Sequence, residues 1–526
     1  MIIIMSSAYV SDEFQAEVGK IPPTLLPLGN KKLVEHQIES LQRSYSNEKI
    51  ILSLPESFIL SATLEKQLSV LEIDICCVPD RFTLSEAVLY ILNTSEVMFN
   101  LSEDVKILYG DTYISDFSFS CQSQNLIAIA EAKTSYSWEY ASELEDKNLV
   151  WCGFFKFGNI PSLLKSLALK RDNFNEAIKL YTKLNCVDIV QTYHWNDLGH
   201  INTYFLARAQ LTTQRAFNEL NISDGVVRKN GEPQIKIEAE ANWFSNVPAS
   251  VKKFTPLLID SGVQDGRFGY ELEYLSSMPL NELFVHGNNN AKDWDVIFAE
   301  IVKFFKASQR HSTSLENNVI EQEFVALIRD KTFQRLSDYA KDNDISLDAP
   351  LFYDGMQLPS ALSICSECID LVRKLPNKAG VLHGDLCFSN MLFDSRGVRL
   401  KLIDPRGLDS YGNLTIYGDA KYDLAKLTHS VIGLYDFIIS GNYKIVNEAT
   451  KEIRLEFDIE ERVKEIQNKF WGLECLKGIA IEKIMPLVVL LFFSMLPLHE
   501  DRPDRQDAMW LNALRLYKIS VMEKDV

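Results

Sequence analysis

Over its first two hundred or so residues the chain alternates continuous apolar runs with stretches of helical periodicity. The runs fall at Met1–Met5, Ile50–Leu54, Ile73–Val78, Val105–Tyr109, Leu126–Ala130 and Leu149–Phe155. Each has the length of one strand, and unbroken rather than alternating hydrophobicity suits a strand covered on both faces. Between them apolar positions recur at helical spacing, as in Lys32–Leu41 and Thr83–Leu92. This pattern predicts an α/β domain over 1–205 with an open, mostly parallel sheet. Thr203–Leu220 has helical character and few breakers, which predicts a rigid helical connector over 206–221. From Ile222 short strands return, and from Trp294 long amphipathic helices dominate. The second domain, 222–526, therefore reads as α+β, with a small lobe to about 280 and a helical lobe beyond.

Composition narrows the partners. With 526 residues, 46% apolar and 24% charged, the chain is an ordinary globular protein too long for one core. Its net charge is −18, and no basic tract interleaved with aromatics occurs, so neither nucleic acid nor an acidic membrane surface is an expected partner. Nine cysteines without regular spacing suit reduced thiols in a cytoplasm. Cys365 and Cys368 form a lone C-x-x-C better read as one face of a helix than as a metal site. The most apolar run, Met485–Leu498, is fourteen residues long, short of the about 20 a bilayer span needs. It reads as a buried core helix, with no membrane insertion expected.

The chemistry is densest at His383-Gly384-Asp385-Leu386-Cys387-Phe388-Ser389-Asn390, followed by Lys401-Leu402-Ile403-Asp404. A phosphoryl transfer needs a carboxylate to position and deprotonate the attacking hydroxyl, and oxygen ligands for Mg²⁺. Asp385 suits the first role; Asn390 on the same loop and Asp404 at the end of a following hairpin suit the second. This set resembles the aminoglycoside-phosphotransferase and choline-kinase group of small-molecule kinases, which carry His-Gly-Asp in a protein-kinase-like fold. The resemblance implies Asp385, with His383 beside it, as the catalytic residues and Asn390 and Asp404 as metal ligands. Asp419 to Leu427 is similar to the segment that buttresses the catalytic loop there, which gives Asp423 a structural role. Lys229, ending Gly225-Val226-Val227-Arg228-Lys229, is suited to nucleotide phosphates, with Glu240 orienting it. Lys236, four residues before Glu240, competes for that role or forms a solvated pair with it. Tyr270–Leu275 resembles the hinge strand whose backbone holds adenine, which makes Glu273 and Leu275 candidates. Arg406 either lies near the acceptor or pairs with an acidic residue.

In the first domain Tyr109-Gly110-Asp111 ends the fourth predicted strand, and Trp195-Asn196-Asp197-Leu198-Gly199 supplies a second carboxylate before a helix. In open α/β sheets, ligands sit beyond the carboxyl ends of the strands. There, Asp111 and Asp197 are candidate Mg²⁺ ligands. Pro22–Leu33, Leu108–Asp111, Cys152–Phe155 and Trp195–Gly199 together resemble the Rossmann-like sugar nucleotidyltransferases. The resemblance departs at the first loop, where Ser6–Glu13 has neither Gly nor Arg to cradle a triphosphate, and at Thr24, which stands where a lysine is expected. Lys20 is the candidate to reach the phosphates instead.

Together the two resemblances imply a bifunctional enzyme. An ATP-Mg²⁺-dependent kinase would phosphorylate a sugar, polyol or amino alcohol. A nucleotidyltransferase would then couple that phosphate to a second NTP, with CTP one option, to give an activated precursor for capsule or other surface polysaccharide. Choline as acceptor would require an aromatic cage; Trp243, Tyr274, Tyr422 and Tyr435 are its candidates or simply core. The alternative is a kinase whose N-terminal half only binds or regulates. A homo-oligomer is compatible with either.

Overall fold

The computed structural model describes residues 1–94, 104–120, 123–132, 134, 136, 148–211, 218–264, 266–311, 317–448 and 452–522. The chain divides into two compact units, Met1–Thr212 with His286–Asn288, and Thr213–Val285 with Asn289–Val526.

The first unit is built on a seven-stranded sheet. Its strands are β1 (Ile2–Met5), β2 (Ile50–Pro55), β3 (Asp74–Val78), β4 (Val105–Tyr109), β6 (Leu126–Glu131), β7 (Leu149–Phe157) and β8 (Asp188–Gln191), in the order β8-β6-β7-β4-β1-β2-β3. A separate ribbon pairs β5 (Thr112–Ile114) with β9 (Trp195–Asp197). All six apolar runs are strands, and the central ones are buried along their length, as β1 and β2 show. The sheet is mostly parallel, but β7 runs antiparallel to both of its neighbours. Helix α1 (Leu33–Ser44) and Leu84–Thr94 fill two of the predicted helical intervals. The last described helix of the unit is α2 (Ile201–Leu211).

The helical connector needs correction at its C-terminal end. Residues 218–223 form strand β10 (Asn218–Ser223), paired in register with β11 (Val226–Gly231). With β12 (Leu258–Gln264) and β13 (Arg267–Glu273) they make a four-stranded antiparallel sheet in the order β10-β11-β13-β12. Helix α3 (Gln234–Asn246) packs against β11 and β13. It buries Ile237, Ala239, Ala241, Trp243 and Phe244, so the Trp243 ring is core and its N–H donates to the Leu382 carbonyl.

Below this sheet the unit is helical, with α4 (Ala291–Gln309), α5 (Lys331–Asp342), α6 (Lys421–Val431), α7 (Ile481–Met495) and α8 (Pro503–Ser520). Helix α7 packs against α5, α6, α8 and the helix Ala361–Arg373, and among its fifteen residues only Glu482 and Lys483 escape burial. The stretch Ile481–His499 is long and apolar enough to cross a bilayer, yet 78% of it is buried inside the unit, as a core helix would be. Cys365 and Cys368 are both buried on Ala361–Arg373, and all eight described cysteines are free thiols.

Candidate active sites

In the second unit the strand Ala379–Val381 pairs with Tyr417–Asp419 and delivers the chain into His383-Gly384-Asp385. Gly384 has φ +81°, and a Cβ there would stand 2.8 Å from that of Arg406, so the turn needs glycine. Beneath it the buried Asp423 carboxylate accepts N–H bonds from His383 at 2.8 Å and Gly384 at 2.7 Å. Burial pushes Asp423 up to about 7, against those two donors and Arg406.

His383 is itself fully buried. Its Nε2 lies 2.9 Å from the Ile403 carbonyl, and its Nδ1 lies 3.3 Å from the Asp385 N–H. Both ring nitrogens are thus spent on backbone, and burial lowers its pKa to about 4. The neutral ring ties the His383–Asn390 loop to Ile403, the residue before Asp404 and just past the strand Arg399–Leu402. The sequence reading set His383 beside Asp385 as catalytic; here both of its ring nitrogens face backbone groups.

Asp385 is the half-buried carboxylate of the loop. Lys426 Nζ sits 2.8 Å from its Oδ1, and Asn390 Nδ2 donates to its Oδ2 at 3.0 Å and its carbonyl at 2.9 Å. Burial works to raise the Asp385 pKa, yet Lys426, His383 and Asn390 hold it below the usual carboxylate range. Asn390 spends its nitrogen on Asp385; its Oδ1, which accepts from Ser389 Oγ at 3.4 Å, and the Asp404 carboxylate are hard oxygen donors, the kind Mg²⁺ takes. These residues fit a magnesium ion.

Lys229 on β11 brings the small sheet to the same place. Its Nζ lies 2.6 Å from Glu240 Oε2 and 3.0 Å from Asp404 Oδ1, and Tyr270 Oη donates to Glu240 at 2.6 Å. Burial opposes its charge, but Asp404 and Glu240 hold the Lys229 pKa above its ordinary value. Lys236 sits exposed on α3 and forms no ion pair among the described residues. Glu273 and Leu275 are the candidate adenine-binding residues of the expected hinge. The Glu273 N–H goes to the Leu257 carbonyl at 3.0 Å and its Oε1 accepts the Leu257 N–H, while the Leu275 carbonyl accepts from Ser277. The Glu273 amide is therefore committed within the sheet.

In the first unit β4 ends at Tyr109, and Gly110-Asp111 turns into β5. Pairing of β5 with β9 sets Asp197 opposite Thr112, and the Leu198 N–H donates to the Asp111 carbonyl at 2.9 Å. A Cβ at position 199 would collide with the Asp111 carboxylate, so Gly199 permits the close approach. Asp197 is well satisfied: His200 Nδ1 at 2.8 Å, the Gly199 N–H at 3.1 Å and the Thr203 hydroxyl all reach it. His200 and Thr203 escaped the sequence reading, although they follow Asp197 by three and six residues, His200 just before α2 and Thr203 in its first turn. Asp111 has no such cover. Desolvation, then repulsion from Asp197, raises it to about 6. Two adjacent carboxylates short of positive charge suit a divalent cation. Among the described residues, however, no cluster of three or more His, Cys, Asp or Glu side chains is gathered as metal ligands.

The stretch after β1 differs from a phosphate cradle. The Ser6 N–H is taken by Ser53 Oγ at 2.8 Å, and Ser6 Oγ accepts the Thr24 N–H at 3.1 Å. Thr24 is buried and donates to Gln37 Oε1, whose amide nitrogen holds the carbonyls of Tyr109, Gly110 and Thr112. The helix that follows, Asp12–Val18, opens with Asp12 and Glu13, which oppose a phosphate at its N-terminus. Lys20 lies with its ammonium 4.1 Å above the Tyr9 ring and has no contact with Asp111 or Asp197.

No protein-family model matches the chain, and neither does any curated protein. Solved structures of two kinds are similar to stretches of this chain. A nucleoside-diphosphate-sugar pyrophosphorylase from Vibrio cholerae RC9 is similar over 39% of this chain and 98% of its own, with 13% identity and a TM-score of 0.32. A 4-diphosphocytidyl-2C-methyl-D-erythritol synthase covers 39% of this chain and 95% of its own, at 12% identity and a TM-score of 0.28. The wild-type aminoglycoside 2'-phosphotransferase-IIIa, solved as a GDP complex, covers 59% of this chain and 91% of its own, at 14% identity and a TM-score of 0.33. The neighbours thus include nucleotidyltransferases and phosphotransferases. At these identities they are likenesses and fix no activity.

Proposed function

We propose that the chain is a bifunctional transferase whose second unit is a small-molecule kinase and whose first unit is a nucleotidyltransferase. The observation that carries the kinase half is the meeting of Asp385, Asn390 and Asp404 with the Lys229–Glu240 pair. In this reading Asp385 accepts the proton of the acceptor hydroxyl. The hydroxyl oxygen forms a bond to the γ-phosphorus of ATP, the bond to the β-γ bridging oxygen breaks, and ADP leaves. Lys426 and Asn390 hold the Asp385 carboxylate ionised and aimed, and Lys229, steadied by Glu240, orients the nucleotide phosphates. Mg²⁺ held by Asn390 and Asp404 would neutralise phosphate charge.

In the first unit, with Asp111 and Asp197 as metal ligands, an oxygen of the new phosphate ester would attack the α-phosphorus of a second NTP and release pyrophosphate. The product is a nucleotide-activated precursor of the kind surface-polysaccharide assembly consumes. A second reading, a binding or regulatory first unit, is favoured by one observation, the acidic turn at Asp12 and Glu13 where a triphosphate would be cradled.

The test is mass-spectrometric product analysis of full-length protein with ATP, CTP, UTP, GTP, Mg²⁺ and a panel of hydroxylated acceptors. A gain of one phosphate, abolished by Asp385→Asn, followed by a nucleotide adduct abolished by Asp111→Asn, is the expected result. Phosphorylation with no adduct from any NTP would establish the second reading. Undiminished phosphorylation by Asp385→Asn would overturn the kinase assignment.

A further inference from the structure

Helix α6 is buried along its length except at two side chains, Tyr422 and Lys426, one turn apart. Three of its residues hold the His383–Asn390 loop in turn. Asp423 takes the His383 and Gly384 N–H groups, Lys426 takes the Asp385 carboxylate, and Ser430 Oγ accepts the Phe388 N–H at 3.1 Å. Spacings of three and four residues put them on one face of the helix, the face turned to the loop. Asp423 and Ser430 meet backbone groups, as loop anchors do. Lys426 meets a side chain, and that side chain is the carboxylate proposed to take the acceptor's proton.

Lys426 Nζ lies 2.8 Å from Asp385 Oδ1, and among the described residues it forms no other ion pair. Its side chain is 12% exposed, against 42% for Asp385, so the ammonium has little water to turn to. Other carboxylates near the loop are engaged: Asp423 on two N–H groups, Asp404 with Lys229 at 3.0 Å, Asp419 with Lys421 at 3.2 Å. An ammonium so placed is stable only while its one carboxylate partner is charged. Proton transfer to Asp385 removes that charge. Asn390 Nδ2 occupies Oδ2 and Lys426 occupies Oδ1, so a hydroxyl bonded to either oxygen, at about 2.7 Å, stands beside one of them. The phosphorus which that hydroxyl attacks therefore brings anionic oxygens to Lys426 as Asp385 becomes neutral.

We infer that Lys426 is a further catalytic residue of the kinase reaction, its ammonium passing from Asp385 to the oxygens of the transferring phosphoryl group. The acceptor oxygen bonds to the γ-phosphorus, and the bond to the β-γ bridging oxygen breaks. The hydroxyl proton passes to Asp385, ADP leaves, and Lys426 keeps its own protons throughout. A cation is thereby supplied where charge develops, and protonation of the base is coupled to the arrival of the phosphoryl group. This role rests on the kinase reading of the second unit and adds to it a group from outside the His383–Asn390 loop.

Asp385→Asn reproduces the neutral carboxyl without any acceptor. Full-length wild type, Asp385→Asn and the double variant Asp385→Asn with Lys426→Met are titrated by calorimetry with the magnesium complexes of ADP and of a non-hydrolysable ATP analogue, which differ by the γ-phosphate. Relative to ADP, Asp385→Asn is expected to bind the analogue roughly ten- to hundredfold more tightly than wild type does, the effect of one charge-assisted hydrogen bond. The double variant is expected to lose that gain, with ADP affinity within about twofold throughout. A gain that persists without Lys426 reports only relief of repulsion by Asp385 and overturns the inference, as does no gain at all. Failure of wild type to bind either nucleotide instead sinks the kinase reading beneath it. Asp385→Ser, alone and with Lys426→Met, replaces the asparagine variants if these do not fold, and the same two outcomes decide.

Discussion

Asp423 offers the sharpest test of how the catalytic loop is held. Its carboxylate is buried and is the acceptor for two consecutive backbone N–H groups, those of His383 and Gly384. Asp423→Ala strands both donors away from water. Each unsatisfied buried group costs about 1–3 kcal/mol, so the change should destabilise the second unit by about 2–6 kcal/mol. At roughly 2 °C per kcal/mol for a unit of this size, its melting transition should fall by about 4–12 °C. Asp423→Asn keeps one acceptor oxygen and presents an amide donor to the other N–H, so its loss should be about half as large. Scanning calorimetry of the full chain provides an internal control, because the transition of the first unit should not move. Turnover should fall with both variants, since Asp385 is the next residue along the loop. An alanine variant melting within about 1 °C of wild type would show that the two hydrogen bonds do not secure the loop.

Three further outcomes follow from the same geometry. Asp111 is raised to about 6. The folded state therefore holds a proton that the unfolded chain has released, and stability present below about pH 4 is lost as pH rises through 6. Asp111→Asn should then stabilise the first unit at pH 7 by up to about 3 kcal/mol, measured by denaturant unfolding, and Mg²⁺ should raise the melting temperature of wild type but not of the variant. His383 runs the other way, with its neutral form favoured in the fold down to about pH 4. Its contribution is complete above about pH 6.5 and fades as pH falls to 4, so the destabilisation by His383→Gln should shrink by about 3 kcal/mol across that range; an unchanged difference would contradict the buried, neutral ring. Lys229→Met should weaken ATP binding in a direct titration by roughly ten- to hundredfold while leaving the unfolding transition of the first unit unmoved.

Much of this was legible in the residues because it depends on local sequence. Strands covered on both faces announce themselves as apolar runs, and β1, β2 and β4 lie where those runs fall. Strand β10 did not, because Asn-Glu-Leu-Asn-Ile-Ser is an edge strand with a partner on one side only, and so it carries half the apolar signal. Strand β8 was missed for the same reason, its first two residues being exposed at the far edge of the sheet. The loop from His383 to Asn390 was readable because its chemistry needs fixed residues at fixed spacing. The partner of Asp385 was not: Lys426 comes from a helix turn whose direction only tertiary packing sets.

The near-complete burial of α7 has a bearing on how the second unit is made. Of the four α-helices packed against the helix that fills this core, three precede it in the chain and α8 follows it. During synthesis α5, the helix Ala361–Arg373 and α6 emerge with the faces they will bury still open to water. The catalytic loop and its Asp423 anchor are by then already translated, but the core beneath them is unfilled. When α7 does emerge, its apolar surface matches what a membrane-insertion or chaperone system recognises. The core therefore cannot be completed before residue 481 is made, and a ribosome stalled there would hold the proposed catalytic residues on a chain whose core is still open.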